Sequence, residues 1–181
     1  MSLRNRFLGA VLAIMLTAVV TAAETQSLHP ELEAFRPLLG KTWAGAFPDR
    51  PDGTKMEDVV RYERVLNGMA VRSLHSINDG IYGGETLFRW DAQAGKLVFH
   101  YFTTQGFVTK GEIHRNDDGS FTSSEQVEKP DQADGVTRVE AVFRVAADRL
   151  VVESTYFRGD VAEPGHAAEY RPAPGRNVVF R

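Results

Sequence analysis

The sequence of 181 residues contains no cysteine. It therefore cannot form disulfides, use a thiol nucleophile or bind a metal through thiolates. It also has no run of lysines and arginines, and after the first 23 residues 24 acidic side chains outnumber 19 basic ones, a net charge of −5. We do not expect a mildly acidic chain of this kind to bind nucleic acid or an anionic lipid surface.

Several catalytic motifs are missing as well. The chain has no nucleophile elbow, no His-Glu-x-x-His zinc motif, no phosphate-binding loop and no glycine-rich dinucleotide motif. The acidic pair Asp117-Asp118 precedes Gly119 in a turn, where hydrogen bonds to the backbone explain it better than a calcium loop does. We expect no metal site and no obligatory cofactor.

The first 23 residues have the pattern of a secretory signal. Arg4 and Arg6 precede an apolar run at 7–20, and the small residues of Thr21-Ala22-Ala23 suit a signal peptidase. The alternative is a membrane anchor, but the run is shorter than the roughly 18–20 residues that span a bilayer. We expect 1–23 to be removed and 24–181 to be one domain, exported to the periplasm or secreted and not membrane-spanning.

The remaining chain predicts one short helix followed by about ten strands. Pro30–Leu39 is the helix, with proline near its start and Gly40 after its end. Beyond it, runs of period two alternate with short Gly, Asn and Asp turns. The predicted strands are Lys41–Phe47, Glu57–Leu66, Met69–Asn78, two in the aromatic hairpin 83–107, Phe107–Arg115, Ser120–Lys129, Val136–Val145, Arg149–Arg158 and His166–Arg171, with Asn177–Phe180 either a further strand or a tail.

This order predicts an all-β fold, an up-and-down antiparallel β-barrel with one short N-terminal helix. Alternation in several strands separates an apolar face from a charged one. Val139, Ala141 and Phe143 share one face, for example, and Arg138 and Glu140 share the other. An outer-membrane barrel would turn the apolar face to lipid, but the many long charged side chains and the short loops favour an apolar interior.

With these elements in view, the chain resembles the calycins, the superfamily of lipocalins and fatty-acid-binding proteins. The residues that carry the resemblance are Leu38-Leu39-Gly40-Lys41-Thr42-Trp43, the segment from Tyr62 to Gly68, and Gln105-Gly106. Bacterial lipocalin-like barrels and the ten-stranded nitrobindin type look most similar. The resemblance implies that Trp43 packs across the closed end of the barrel, although two residues separate Gly40 from Trp43 where lipocalins typically have one.

A closed barrel of this size can hold one small ligand, so we expect a binding protein for an apolar or lipid-like molecule. The candidate ligand-contacting residues are mainly aromatic, with histidines for orientation: Trp43, Tyr62, His75, Phe88, Trp90, His100, Phe102, Phe107 and Tyr156. Each aromatic side chain could equally be ordinary core packing. The sequence indicates neither the ligand nor the oligomeric state.

Three alternatives stay open. The nitrobindin resemblance implies a haem with His166 as its axial ligand, at a similar place on a late strand. An isomerase or cyclase could use His75 or His100 as acid–base beside a carboxylate such as Glu85. A barrel with a filled interior would act through its surface. An interior cavity would favour binding over the filled barrel, and a histidine within hydrogen-bond reach of a buried carboxylate would favour the enzyme.

Overall fold

The chain forms a closed antiparallel barrel of ten strands in a computed structural model that describes residues 27–50 and 52–181. Each strand pairs with the next along the chain, and β10 closes the ring against β1. The predicted fold class is confirmed. The strands are β1 Thr42–Phe47, β2 Met56–Val65, β3 Ala70–Ile77, β4 Tyr82–Asp91, β5 Lys96–Thr103, β6 Val108–Arg115, β7 Phe121–Val127, β8 Arg138–Val145, β9 Leu150–Arg158 and β10 Val161–Pro172. The predicted signal peptide lies outside the described residues.

Short turns fix the register of the hairpins. The Asn-Gly and Asp-Gly signals mark the turns after β2 and β3, where Asn67 and Asp79 have φ of 54° and 56°. These positive values suit Asn, Asp and Gly, which explains why those residues stand there. Short 3₁₀ turns cover Leu66–Gly68, Asn78–Gly80 and Pro130–Gln132. The predicted hairpins and the observed ones agree.

The N-terminal helix is a 3₁₀ helix over Pro30–Leu38, which we call the plug helix. We predicted an ordinary helical spacing ending at Leu39. Pro37 lies inside the helix, has no N–H to donate and crowds the carbonyl four residues back, so the tighter form is favoured. With three residues per turn, Leu32 and Leu38 become the most buried residues of the helix, at 0% and 1% exposed.

The plug helix packs across one end of the barrel. Its Phe35 ring lies 5.0 Å from that of Phe88 and 6.2 Å from that of Phe121. Trp43 is completely buried there, and its indole Nε1 donates a hydrogen bond to the carbonyl of Leu38, 3.2 Å away. This is the packing that the resemblance implied for Trp43. This closed end is therefore a packed, largely apolar core.

Two features near the C-terminus differ from the expected strand pattern. β10 starts at Val161, five residues before the predicted His166, and a bulge interrupts its pairing with β9 between Pro164 and Ala167. Pro164-Gly165 resembles a loop in sequence, and a bulge is where a strand tolerates proline. The segment 177–180 forms no strand. Within the described part of the chain, no helix is long and apolar enough to cross a membrane.

The inward faces agree with the predicted alternation. Val139, Ala141 and Phe143 of β8 all line the interior, as the period of two indicated. The seam between β1 and β10 is short, with three partner pairs, whereas β2 and β3 share eight. The plug helix closes one end of the barrel, and the inward-facing side chains of the strands line its interior.

Candidate functional site

The interior of the barrel contains a cavity of about 610 Å³. It opens at the end opposite the plug helix, which we call the mouth, formed by the turns after β1, β3, β5, β7 and β9. Pockets for small molecules usually measure roughly 300–1,000 Å³. The walls are mostly apolar, with phenylalanines or valines contributed by seven of the ten strands. The barrel is therefore hollow on its mouth side and filled on its closed side.

A chain of hydrogen bonds runs along one wall of this cavity. The Tyr170 hydroxyl donates to Oδ2 of Asp58 over 2.9 Å, and Oδ1 of Asp58 lies 3.0 Å from Nδ1 of His75. Nε2 of His75 lies 2.7 Å from the Tyr101 hydroxyl, which lies 2.8 Å from the Tyr82 hydroxyl. We call these five residues the interior network. It joins a buried carboxylate to a phenol near the mouth.

Two glycines allow the network to form. Tyr101 on β5 reaches His75 on β3 by crossing β4 at Gly84, where a Cβ atom would lie 2.4 Å from the Tyr101 ring. Tyr170 on β10 reaches Asp58 on β2 by crossing β1 at Gly45, where a Cβ atom would lie 2.7 Å from the Tyr170 ring. Each glycine leaves room for a ring from the next strand. A glycine on the intervening strand thus makes room for the Tyr101–His75 contact and for the Tyr170–Asp58 contact.

The protonation state of His75 decides which hydrogen-bonding group the network presents to the cavity. In the neutral form, Nδ1–H donates to Asp58 and Nε2 accepts from Tyr101. Tyr82 must then donate to Tyr101, which leaves the Tyr82 oxygen as an acceptor. In the protonated form, Nε2–H donates to Tyr101, Tyr101 donates to Tyr82, and Tyr82 has its own proton free to donate.

The tyrosines of the network remain neutral phenols. Burial raises the pKa of Tyr101 and of Tyr170 well above the usual 10, and it also raises the pKa of Tyr82. Nearby carboxylates act in the same direction, because a phenolate beside Asp58 would be repelled. The network can therefore pass a proton along by rearranging hydrogen bonds, and it does not store negative charge on a tyrosine.

A second polar group faces the cavity from β7. The Glu125 carboxyl accepts a short hydrogen bond from the Thr109 hydroxyl, and in the described structure it has no cationic partner. Burial raises the pKa of this carboxyl. Three tyrosines, Tyr82, Tyr101 and Tyr156, line the same cavity, and the charge of Glu125 adds to burial in raising the pKa of each. Glu125 is thus a part-buried acid without a counter-ion on the wall of the cavity.

His166, the candidate haem ligand, also lines the cavity. Its ring stacks on Phe47 with centroids 4.6 Å apart and meets the edge of Tyr156 at 5.3 Å. Burial lowers its pKa, which favours the neutral ring. The cavity that it lines also carries the carboxyl groups of Asp58, Glu125 and Asp134, whereas a haem macrocycle needs a roomy apolar slot at its ligand. His166 fits the packed wall better than it fits an axial ligand.

The other candidate residues fall into three places. Those that line the cavity are Tyr62, His75, Phe88, Phe107 and Tyr156. Trp43 and Trp90 lie at the closed end, where the Trp90 ring stacks 6.1 Å from that of His29. His100 and Phe102 lie on the outer face with their rings stacked at 6.4 Å, and neither lines the cavity. Their strand is apolar on both faces, so alternation could not place them.

Sequence reasoning named the wrong carboxylate for His75. Glu85 lies on the outer face, 44% exposed and 4.0 Å from Arg72, and Asp58 takes the place beside His75. Asp58 and His75 are diagonal neighbours, since Val60 pairs with His75 and Ile77 pairs with Asp58. The signal that could have found Asp58 is its position on the apolar face of its strand, two residues before Val60.

Four other residues of the site also went unnamed. Tyr82, Tyr101, Glu125 and Tyr170 all line the cavity. Glu125 shares a face with Ser123 and Val127, which is polar enough to pass for a solvent-facing stripe. Among the residues described, no three His, Asp or Glu side chains are arranged to hold a metal ion. The site therefore depends on hydrogen bonds, burial and one unpaired acid.

No protein-family model matches the chain, and no curated protein matches it significantly. Among solved structures, the crystal structure of Rv2717c from M. tuberculosis is similar to it. The TM-score is 0.57 with 18% sequence identity, over 81% of this chain and 99% of that one. At this identity the likeness concerns the fold alone. The barrel is thus supported, while membership of the calycins or of the nitrobindin type stays a prediction.

Proposed function

We propose that this protein is an exported, calycin-like carrier that binds a small, largely apolar molecule inside its barrel. The observation that carries the proposal is the cavity of about 610 Å³, open at the mouth and closed by the plug helix. Apolar walls supply the affinity, because a ligand there leaves water for contact with phenylalanine and valine side chains. The interior network supplies a few fixed polar groups that orient it.

A pair of neighbouring substitutions tests this proposal. Ala141 faces the cavity, and Val142, the next residue of β8, faces outward. Ala141→Phe should therefore fill part of the cavity, whereas Val142→Phe should leave it open. We expect a neutral fluorescent probe, N-phenyl-1-naphthylamine, to bind the purified protein, to bind at least tenfold more weakly to Ala141→Phe, and to bind Val142→Phe normally.

Thermal unfolding of both variants shows whether each remains folded. Native mass spectrometry of the purified protein should in addition show a co-purified adduct or uptake of an added fatty alcohol. Absence of probe binding, of an adduct and of uptake would contradict the carrier function. Equal binding by the two variants would place the probe outside the cavity.

A second candidate function is acid–base catalysis, and the Asp58–His75–Tyr101 geometry favours it. A carboxylate that orients an imidazole, itself joined to a phenol, can move a proton to or from a substrate oxygen or carbon. The order from Asp58 to Tyr82 would deliver the proton at the mouth side of the cavity.

Hydrogen exchange into a ketone tests the catalytic candidate. Dodecan-2-one in D₂O should gain deuterium next to its carbonyl faster with the protein than in buffer alone. His75→Gln should abolish the acceleration, and Tyr82→Phe should reduce it, while both variants still bind the fluorescent probe. Exchange at the rate of buffer would reject this function and leave the carrier function in place. The haem alternative predicts a Soret band on reconstitution that His166→Ala removes.

A further inference from the structure

The charges around the cavity are distributed unevenly. Three carboxyl groups line it, Asp58 and Glu125 on the walls and Asp134 at the mouth, and among the described lining residues the only lysines or arginines are Arg50 and Arg158, also at the mouth. The guanidinium of Arg158 is already engaged by Glu163 and by the carbonyl of Asp134. Deep in the cavity, therefore, none of the lysines and arginines in the described part of the chain can receive an anionic group.

The two interior carboxyls differ in what satisfies them. Both oxygens of Asp58 have partners, one in Tyr170 and one in His75. Glu125 has one partner, the Thr109 hydroxyl, on Oε2. A buried carboxylate without a counter-ion is costly, and the raised pKa of Glu125 reflects that cost. A cationic group that entered the cavity would offset it.

Tyrosines that line the same cavity add a second attraction for a cation. Tyr101 is the cross-strand partner of Thr109, which holds Glu125, and Tyr82 and Tyr156 line the cavity with them. Aromatic faces attract ammonium groups, most strongly where water is excluded. Apolar walls beyond them suit a hydrocarbon tail. Resting on the proposed carrier function, we infer that the ligand is an amphipathic amine whose ammonium group pairs with Glu125 while its hydrocarbon part fills the barrel.

Three probes of equal chain length and different head charge test this inference: decylamine, decan-1-ol and decanoic acid. Each competes with N-phenyl-1-naphthylamine at pH 7. We expect decylamine to displace the probe at a concentration at least tenfold lower than decanoic acid does. In Glu125→Gln the affinity for decylamine should fall about tenfold or more, the size expected for a charge-assisted pair. The affinity for decan-1-ol should change less than about twofold.

Glu128→Gln is the matched control, because it removes the same charge three residues away from an exposed carboxyl that pairs with Lys110. Its affinity for decylamine should stay at the wild-type value. The inference is overturned if decanoic acid binds more tightly than decylamine, in which case Arg50→Gln should weaken it and identify the mouth as the charged subsite. It is also overturned if Glu125→Gln binds decylamine normally. Failure of all three probes would instead reject the carrier function itself.

Discussion

The two ends of this barrel are built from the same ten strands and serve different purposes. At the closed end, Trp43, Leu32 and Leu38 are less than 2% exposed and fill the space between the plug helix and the strands. Toward the mouth, the same inward positions hold Asp58, Ser73 and Thr109, each buried and polar. Close packing is thus concentrated at one end, and the open volume with its polar groups lies toward the other.

The largest effect should come from the closed end. Trp43→Ala removes a fully buried ring and its hydrogen bond to Leu38, so we expect the free energy of unfolding to fall by about 3–5 kcal/mol. Tyr82→Phe at the mouth removes only a hydroxyl from a part-buried hydrogen bond and should cost about 0.5–1.5 kcal/mol. Urea unfolding measures both. Equal losses would contradict the division between the two ends.

The next effect concerns the support of the interior network. In Gly84→Ala, the new Cβ would lie 2.3 Å from the carbonyl oxygen of Phe102 and 2.4 Å from the Tyr101 ring, so the ring must move away from His75. We expect a destabilisation of about 1–3 kcal/mol, as for other overpacked interiors. Tyr101→Phe is the comparison, since it breaks the same hydrogen bond to His75 without strain. A Gly84→Ala variant as stable as wild type would show that the Tyr101 ring leaves room for a Cβ atom where it passes over β4.

Glu125→Gln should raise the free energy of unfolding, whereas the variants above should lower it. Because the folded pKa of Glu125 is raised, the folded state binds its proton more tightly than the unfolded chain does. Its contribution to stability is therefore present in acid and lost as pH rises from the unfolded value of about 4.5 through the folded pKa. We expect the Gln variant to gain about 0.5–2 kcal/mol at pH 7, the range typical of stabilising substitutions.

That gain should vanish below pH 4.5, where the wild-type carboxyl is protonated in both states. Chemical unfolding at pH 4 and pH 7 separates the two conditions. A gain of the same size at both values would mean that Glu125→Gln acts through packing and not through charge.

The smallest effect belongs to His166. Burial lowers its folded pKa, so the unfolded chain takes up a proton more readily, and the stability that the neutral ring contributes is lost as pH falls below about 6.5. His166→Phe should therefore lose less unfolding free energy between pH 7 and pH 5 than the wild type does. Urea midpoints at the two pH values measure it. An unchanged pH dependence would assign the acid sensitivity to other groups.

The fold was predictable because its signals are local. Alternation over eight residues places Val139 and Phe143 inside, and Asn67-Gly68 fixes a hairpin without reference to distant parts of the chain. The helix type was missed because Pro37 decides between two close geometries. The bulge in β10 was missed because Pro164-Gly165 reads as a loop.

The site was less predictable because its contacts are distant in sequence. Tyr170 and Asp58 are 112 residues apart, and they meet only because β10 closes against β1 and Gly45 leaves room between them. The face of His75 was predicted correctly, but its carboxylate partner was not. The sequence alone does not distinguish the outward-facing Glu85 from the inward-facing Asp58 as that partner. No local sequence pattern specifies that β10 pairs with β1, so the contacts that depend on this pairing could not be predicted.

The short seam between β1 and β10 has a consequence for assembly. Nine of the ten strand pairings join neighbours along the chain, whereas the tenth must bring Trp43 to Pro172. Such a long-range pairing is slow to form, so hairpins are expected to accumulate before the ring seals. Until then the edges of β1 and β10 can pair with another molecule instead. Exchange of the terminal strand between two copies is accordingly the expected misfolded product at high concentration.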